Sequence, residues 1–235
     1  MMDETTDDTT QPPLPSRATR IISKRSKVSS RGAITASLPG SGDRDRIIQF
    51  ESKLEQRVLL LLLARRDLWD IWDQPPAIAY TAPDGRTRHH TFDFLVTFTT
   101  GRRWSVVVKP QVRAARPDFQ KEVAAIRAGL RKDYADELRL VTDAHFTRDE
   151  ALNAERLHRF RRSLSPDVLA TAYSRFASAS FPTTVGDLVA HLAMDGVGFQ
   201  AILVGIYDGR VIAEMSAEIT ESARLSLPVN AEDKA

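Results

Sequence analysis

Between residues 51 and 66 the apolar positions Leu54, Val58, Leu61 and Leu62 recur at helical spacing, which predicts an amphipathic helix with one buried face. The period then changes. Runs 77–82, 87–98 and 103–109 have strand character, and Pro83-Asp84-Gly85 and Thr100-Gly101 separate them. Turn residues at that spacing predict an antiparallel meander. In the middle run Phe92 and Phe94 flank Asp93, so alternation puts both rings on one face and the carboxylate on the other. Pro110 and Pro117 bracket a loop, and helical spacing resumes over 118–132 through Phe119, Val123, Ile126 and Leu130. Residues 138–142 read as a buried strand, and a helix-to-strand crossover implies an α/β sheet. A helix over 148–162 follows, with Leu157, Phe160 and Leu164 on one stripe.

A second unit opens near Phe181-Pro182. Thr184 and Asp187 fit a capping box before a helix with Val185, Leu188, Val189 and Leu192 on one face. Gly196 and Gly198 break it, 199–207 forms a second helix, and Val211-Ile212 pairs with a return strand at Leu225-Ser226-Leu227. Two helices and a hairpin predict a small winged-helix-like module. The expected organisation is a disordered arm over 1–45, acidic and then basic, an α/β domain over 46–163, the module over 164–229, and a tail over 230–235.

Composition narrows the classes. The 235 residues are 42% hydrophobic and 27% charged, ordinary for a globular chain, and none is cysteine. Disulfides, thiolate metal sites and a Cys nucleophile are excluded. The N-terminus is acidic and polar, unlike a signal peptide, and the apolar run 58–64 is too short to cross a bilayer. A cytoplasmic setting without a membrane partner is expected.

The net charge of +2 conceals a split. Residues 183–235 carry three Lys/Arg against eight Asp/Glu, a net of −5, so the rest carries +7. A basic body favours a polyanion through counterion release. Arg20, Lys24, Arg25 and Lys27 in the arm, and Arg156 and Arg159 on the 148–162 helix, are the candidate phosphate contacts. The 199–207 helix has no Lys or Arg, so the acidic module is assigned a protein partner.

Candidate chemistry follows from residue order. Glu51 and Glu55 stand one helical turn apart, Asp93 lies in a strand, and Lys109 follows at the end of the next strand. Phosphodiester hydrolysis needs an activated water and neutralised phosphate charge, which a divalent metal supplies. Mg²⁺ takes oxygen ligands, usually only one or two of them carboxylates. Glu55 and Asp93 would be those two, and Lys109 would orient water or stabilise developing charge. Plainer readings stand beside these. Two acids at a helix start also suit its dipole. His89 and His90, on opposite faces of a strand, read as surface residues, Trp69 and Trp72 as packing, and Glu122 as a surface helix residue.

Together Glu51-Ser52-Lys53-Leu54-Glu55, Gln74-Pro75, Phe92-Asp93-Phe94 and Val107-Val108-Lys109 resemble the catalytic domain of TnsA-like transposon endonucleases, of the restriction-endonuclease-like PD-(D/E)xK superfamily. The resemblance extends through Arg31-Gly32, Ile48-Gln49-Phe50, the 138–142 strand and the Asn153 helix to the C-terminal winged-helix part, roughly residues 25–229. It implies a restriction-endonuclease-like mixed sheet flanked by helices. It also implies Glu55, Asp93 and Lys109 as catalytic residues, Mg²⁺ or Mn²⁺ on Glu55 and Asp93, and cleavage of transposon ends beside a transposase. Two positions depart from the pattern. Phe92 replaces a proline outside the coordination sphere. Val107 replaces a Glu or Gln in the site itself, and valine offers no side-chain oxygen. A catalytically impaired subunit and a restriction or repair nuclease are therefore the alternative readings.

Overall fold

The structure is a computed structural model that describes residues 11–20 and 30–228. Along the chain come β1 (Gly32–Ala36), β2 (Arg46–Phe50), α1 (Lys53–Leu63), β3 (Leu68–Asp73), β4 (Ile78–Thr81), β5 (Thr87–His90), β6 (Phe94–Phe98) and β7 (Arg103–Val108). The short α2 (Gln111–Ala114), α3 (Pro117–Gly129), β8 (Glu137–Val141), α4 (Arg148–Ser163) and α5 (Pro166–Phe176) follow. The chain continues with β9 (Thr183–Thr184), α6 (Val185–Leu192), α7 (Gly198–Tyr207) and β10 (Arg224–Leu225). The class is mixed α/β. Two units interleave: Met1–Lys53, Leu68–Val107 and Gln120–Arg139 form the first, and Leu54–Asp67, Val108–Phe119 and Leu140–Ala235 the second.

The central sheet has the order β3-β6-β7-β8. β3 and β6, and β6 and β7, pair antiparallel. Asp136 N–H donates to the Arg103 carbonyl (3.0 Å) and Lys109 N–H to the Val141 carbonyl (3.1 Å), so β8 runs parallel to β7 and the sheet is mixed. The predicted meander divides into two hairpins. Its middle run breaks at Thr91–Asp93: β5 pairs with β4 in a separate ribbon, and β6 joins the central sheet.

In the first unit β1 and β2 form a hairpin in which Gly32 lies under the Phe50 ring, where an added Cβ would come within 2.6 Å of it. The stretch 11–20 was expected to be part of a disordered arm, but its own side chains tie it to β3. Arg17 donates to the Asp70 carboxylate (2.8 Å) and the Ile71 carbonyl (2.7 Å), and its guanidinium lies 5.2 Å from the Trp72 ring centre. Trp72 Nε1 donates back to the Arg17 carbonyl (2.7 Å), and Ser16 Oγ donates to Asp73 (2.5 Å).

The second unit is mainly helical. Its core joins Phe176 of α5, Leu188 and Leu192 of α6, and Ile202, Leu203 and Ile206 of α7. Phe160 and Leu164, at the end of α4, pack against that cluster, so the expected boundary at 163/164 falls inside this unit. Helix α5 was not predicted, although Ser165 caps it and Pro166 opens it, a recognised helix start. The expected hairpin reduces to one antiparallel bridge, Ile212 with Ser226, beside the two-residue strands β9 and β10.

Candidate functional site

In the first unit the site is built around Asp93, half-buried just before β6, between the fully buried rings of Phe92 and Phe94. Asp93 N–H donates to the Val106 carbonyl of β7 (3.0 Å), while its own carbonyl accepts from Gln74 N–H beyond the end of β3 (3.0 Å). In a regular strand the N–H and C=O of one residue point to the same neighbour. At Asp93 they point to opposite neighbours. The backbone turns there, so Asp93 precedes β6 instead of lying mid-strand as expected, while both flanking rings are buried and Asp93 is not.

Two neighbours of this bend were missed as site features by sequence reasoning. Gln74 has φ 43°, in the left-handed region that side chains such as glutamine rarely enter. It is 4% exposed, and its Oε1 has no hydrogen-bond partner among the described residues. Asp73 is fully buried, and its Oδ2 accepts from Gln49 N–H (2.9 Å) and Ser16. The only sequence signal was the Asp73-Gln74-Pro75 string itself. Val107, on β7, is 1% exposed and presents a dry methyl surface.

Glu55 and Lys109 belong to the second unit. Glu55 lies in the first turn of α1 and is 9% exposed; Val58, Leu59, Leu60 and Leu62 give that helix its buried face. Glu51 precedes α1, so it does not project from the helix with Glu55 as the spacing predicted. Its carboxylate pairs with Arg20 (3.2 Å) and Arg31 (3.8 Å). Lys109 directly follows β7, with its backbone on Val141 and its Nζ donating to the Val108 carbonyl (2.9 Å).

The candidate phosphate contacts differ in availability. Lys24, Arg25 and Lys27 lie outside the described residues. Arg20 is exposed but engaged with Glu51. Arg156 turns onto the loop before β10, donating to Glu218 (2.5 Å) and to the Ile219 carbonyl (3.2 Å). It acts as a structural tie. Arg159 is exposed and pairs along α4 with Glu155 (3.0 Å). Glu122 accepts a hydrogen bond from the Tyr80 hydroxyl (3.0 Å). Burial first, and then this carboxylate, raise the Tyr80 pKa. His90 packs edge-on against Phe92.

No protein-family model matches the chain, and no curated protein matches it. Among the described residues no group of three or more His, Asp or Glu side chains is placed to hold a metal ion. The donors fit Mg²⁺ in kind. Carboxylate oxygens are the hard ligands it selects, and the Gln74 amide oxygen, buried without a partner beside the Asp93 backbone, is a further oxygen of that type. No helix is long and apolar enough to cross a membrane among the described residues.

Proposed function

We propose that this chain is a TnsA-like DNA endonuclease subunit, with a restriction-endonuclease-like sheet and a winged-helix-like C-terminal part, that hydrolyses phosphodiesters at transposon ends beside a transposase. The observation that carries the reading is Asp93: a carboxylate at the head of a central strand, seated between two buried phenylalanines at a backbone bend. Asp93 and Glu55 would hold Mg²⁺ or Mn²⁺. When bound, the ion would activate water and neutralise charge on the phosphate. Lys109 would stabilise negative charge at the phosphate oxygens.

A second reading, a subunit that binds DNA but cleaves poorly, is favoured by Val107, a buried hydrocarbon where the family carries an oxygen or amide. A nicking assay on supercoiled plasmid with Mg²⁺ or Mn²⁺ decides between the two. Nicking that disappears in Asp93→Ala and rises in Val107→Gln supports the first. DNA binding without nicking by either the parent protein or Val107→Gln supports the second. Absence of both binding and nicking rejects both. Gln is the informative substitution at 107, because a carboxylate at this buried position would carry a desolvation penalty.

A further inference from the structure

Directly after Lys109 the second unit carries a single turn of helix whose exposed side has no packing role. Pro110 opens it, and the N–H groups of Arg113, Ala114, Ala115 and Arg116 bond back along the turn. Ala114 is the buried anchor. The remaining side chains, Gln111, Val112, Arg113 and Arg116, are exposed. Val112 is 78% exposed, more than any other large hydrophobic residue noted on the surface: Trp69 is 46%, Ile212 47% and Leu227 52%. Asp143 accepts the Gln111 N–H (2.6 Å), which fixes the turn from the loop after β8. Neither Arg113 nor Arg116 forms an ion pair with a described residue. Arg17, Arg65, Arg131, Arg156 and Arg161 are each held by a carboxylate, whereas Arg86, Arg127 and Arg148, like these two, pair with no described carboxylate.

A fixed, solvent-facing valine beside two uncommitted guanidiniums does not serve the fold. Arg113 lies in α2 and Arg116 two residues past its end, so the short, largely exposed stretch from Val112 to Arg116 carries one valine and two guanidiniums. Guanidiniums grip phosphate oxygens in a planar fork. Apolar side chains set among cations recur on proteins that enter the minor groove. The acids nearest in sequence are Asp118 and Glu122, and Asp143 meets the turn through the Gln111 N–H. Asp143 is occupied by the Gln111 amide, and Asp118 lies in the first turn of α3.

We propose that α2 and the bend that follows it form a duplex-DNA contact surface, with Arg113 and Arg116 on backbone phosphates and Val112 packed into the adjoining minor groove. It rests on the nuclease reading in that it supplies the duplex contact next to Lys109. The charge on this turn matches a polyanion, and no other partner chemistry is indicated there.

The test is fluorescence anisotropy of the full chain on a labelled duplex of mixed sequence, repeated across a series of KCl concentrations. Each phosphate contact releases about one counterion, so Arg113→Ala and Arg116→Ala should each flatten the log–log salt slope by about one. At 0.1 M salt each should weaken binding by about five- to tenfold, the effect of losing that release. Val112→Ser should weaken binding several-fold and leave the salt slope unchanged. All three positions are exposed, so the variants should keep the parent melting temperature, which is measured alongside. Parent-like affinity and slope in the double arginine variant would overturn this surface while leaving the nuclease reading standing. A parent protein that binds no duplex at any salt would overturn both.

Discussion

Asn153 shows how much one side chain carries in the second unit. It is fully buried on α4, its Nδ2 donates to the Ala217 carbonyl (2.8 Å), and its Oδ1 accepts from Ile219 N–H (3.1 Å). Replacing it with Ala leaves a buried N–H and a carbonyl without partners. Asn153→Ala should therefore lower stability by about 2–4 kcal/mol, summed over those groups, as read from urea unfolding at neutral pH. A change under about 0.5 kcal/mol, the usual size for an uninvolved surface site, would contradict the assignment. The sequence placed Asn153 on a helix and could not show this role, because its partners lie more than sixty positions downstream. Asp93 was legible as an unusual residue between two phenylalanines. Its bend was not, since period-two reasoning assumes a straight strand. Arg156 was read as a phosphate contact for the same reason that Asn153 went unread: the distant loop that takes both side chains leaves no local mark.

At the scale of elements, helices were legible where their apolar positions kept a helical period, as in α1, α3 and α4. Thr147 and Glu150 form a complete capping box at α4: the Glu150 N–H bonds to Thr147 Oγ1 (3.0 Å), and Glu150 Oε2 accepts the Thr147 N–H (2.6 Å). The Thr147 hydroxyl also donates to the Ser216 carbonyl (2.9 Å). Thr147→Ala should cost about 1–2 kcal/mol, the range for losing an N-cap, and Thr147→Ser should recover most of it. Equal melting temperatures for Thr147→Ala and the parent would refute the cap's role. Strand β3 was not legible. A bulge between Leu68 and Asp70 breaks its alternation, and its acids Asp70 and Asp73 look like loop residues until Arg17, Ser16 and Gln49 are seen to satisfy them. Helix α5 was missed because its buried positions reduce to Ala172 and Phe176, too few to establish a period.

For the whole molecule, charge was legible from composition alone, and its consequences extend to pH. Burial pushes the hydroxyls of Tyr134 and Tyr207 up to about 12 from an ordinary value near 10. The folded state therefore keeps these protons more tightly than the unfolded chain does. Their contribution is fully present below about pH 10 and is lost as pH rises from there toward about 12. Urea unfolding at pH 9, 10 and 11 should show stability falling only over the upper step, and Tyr134→Phe should reduce that fall. A flat profile in the parent would refute it. The acidic C-terminal stretch remains the candidate surface for a protein partner. It cannot be tested by deleting residues 183–229, because α6 and α7 supply much of the core against which α5 packs. Surface substitutions at Glu214 and Glu221 are the usable alternative.

The interleaving of the two units has a consequence for heredity. The chain passes from one unit to the other after Lys53, Asp67, Val107, Phe119 and Arg139. No single breakpoint in the gene separates them. A recombination event that exchanges one stretch of the gene would bring in parts of both units, so neither could be swapped whole between lineages as a cassette.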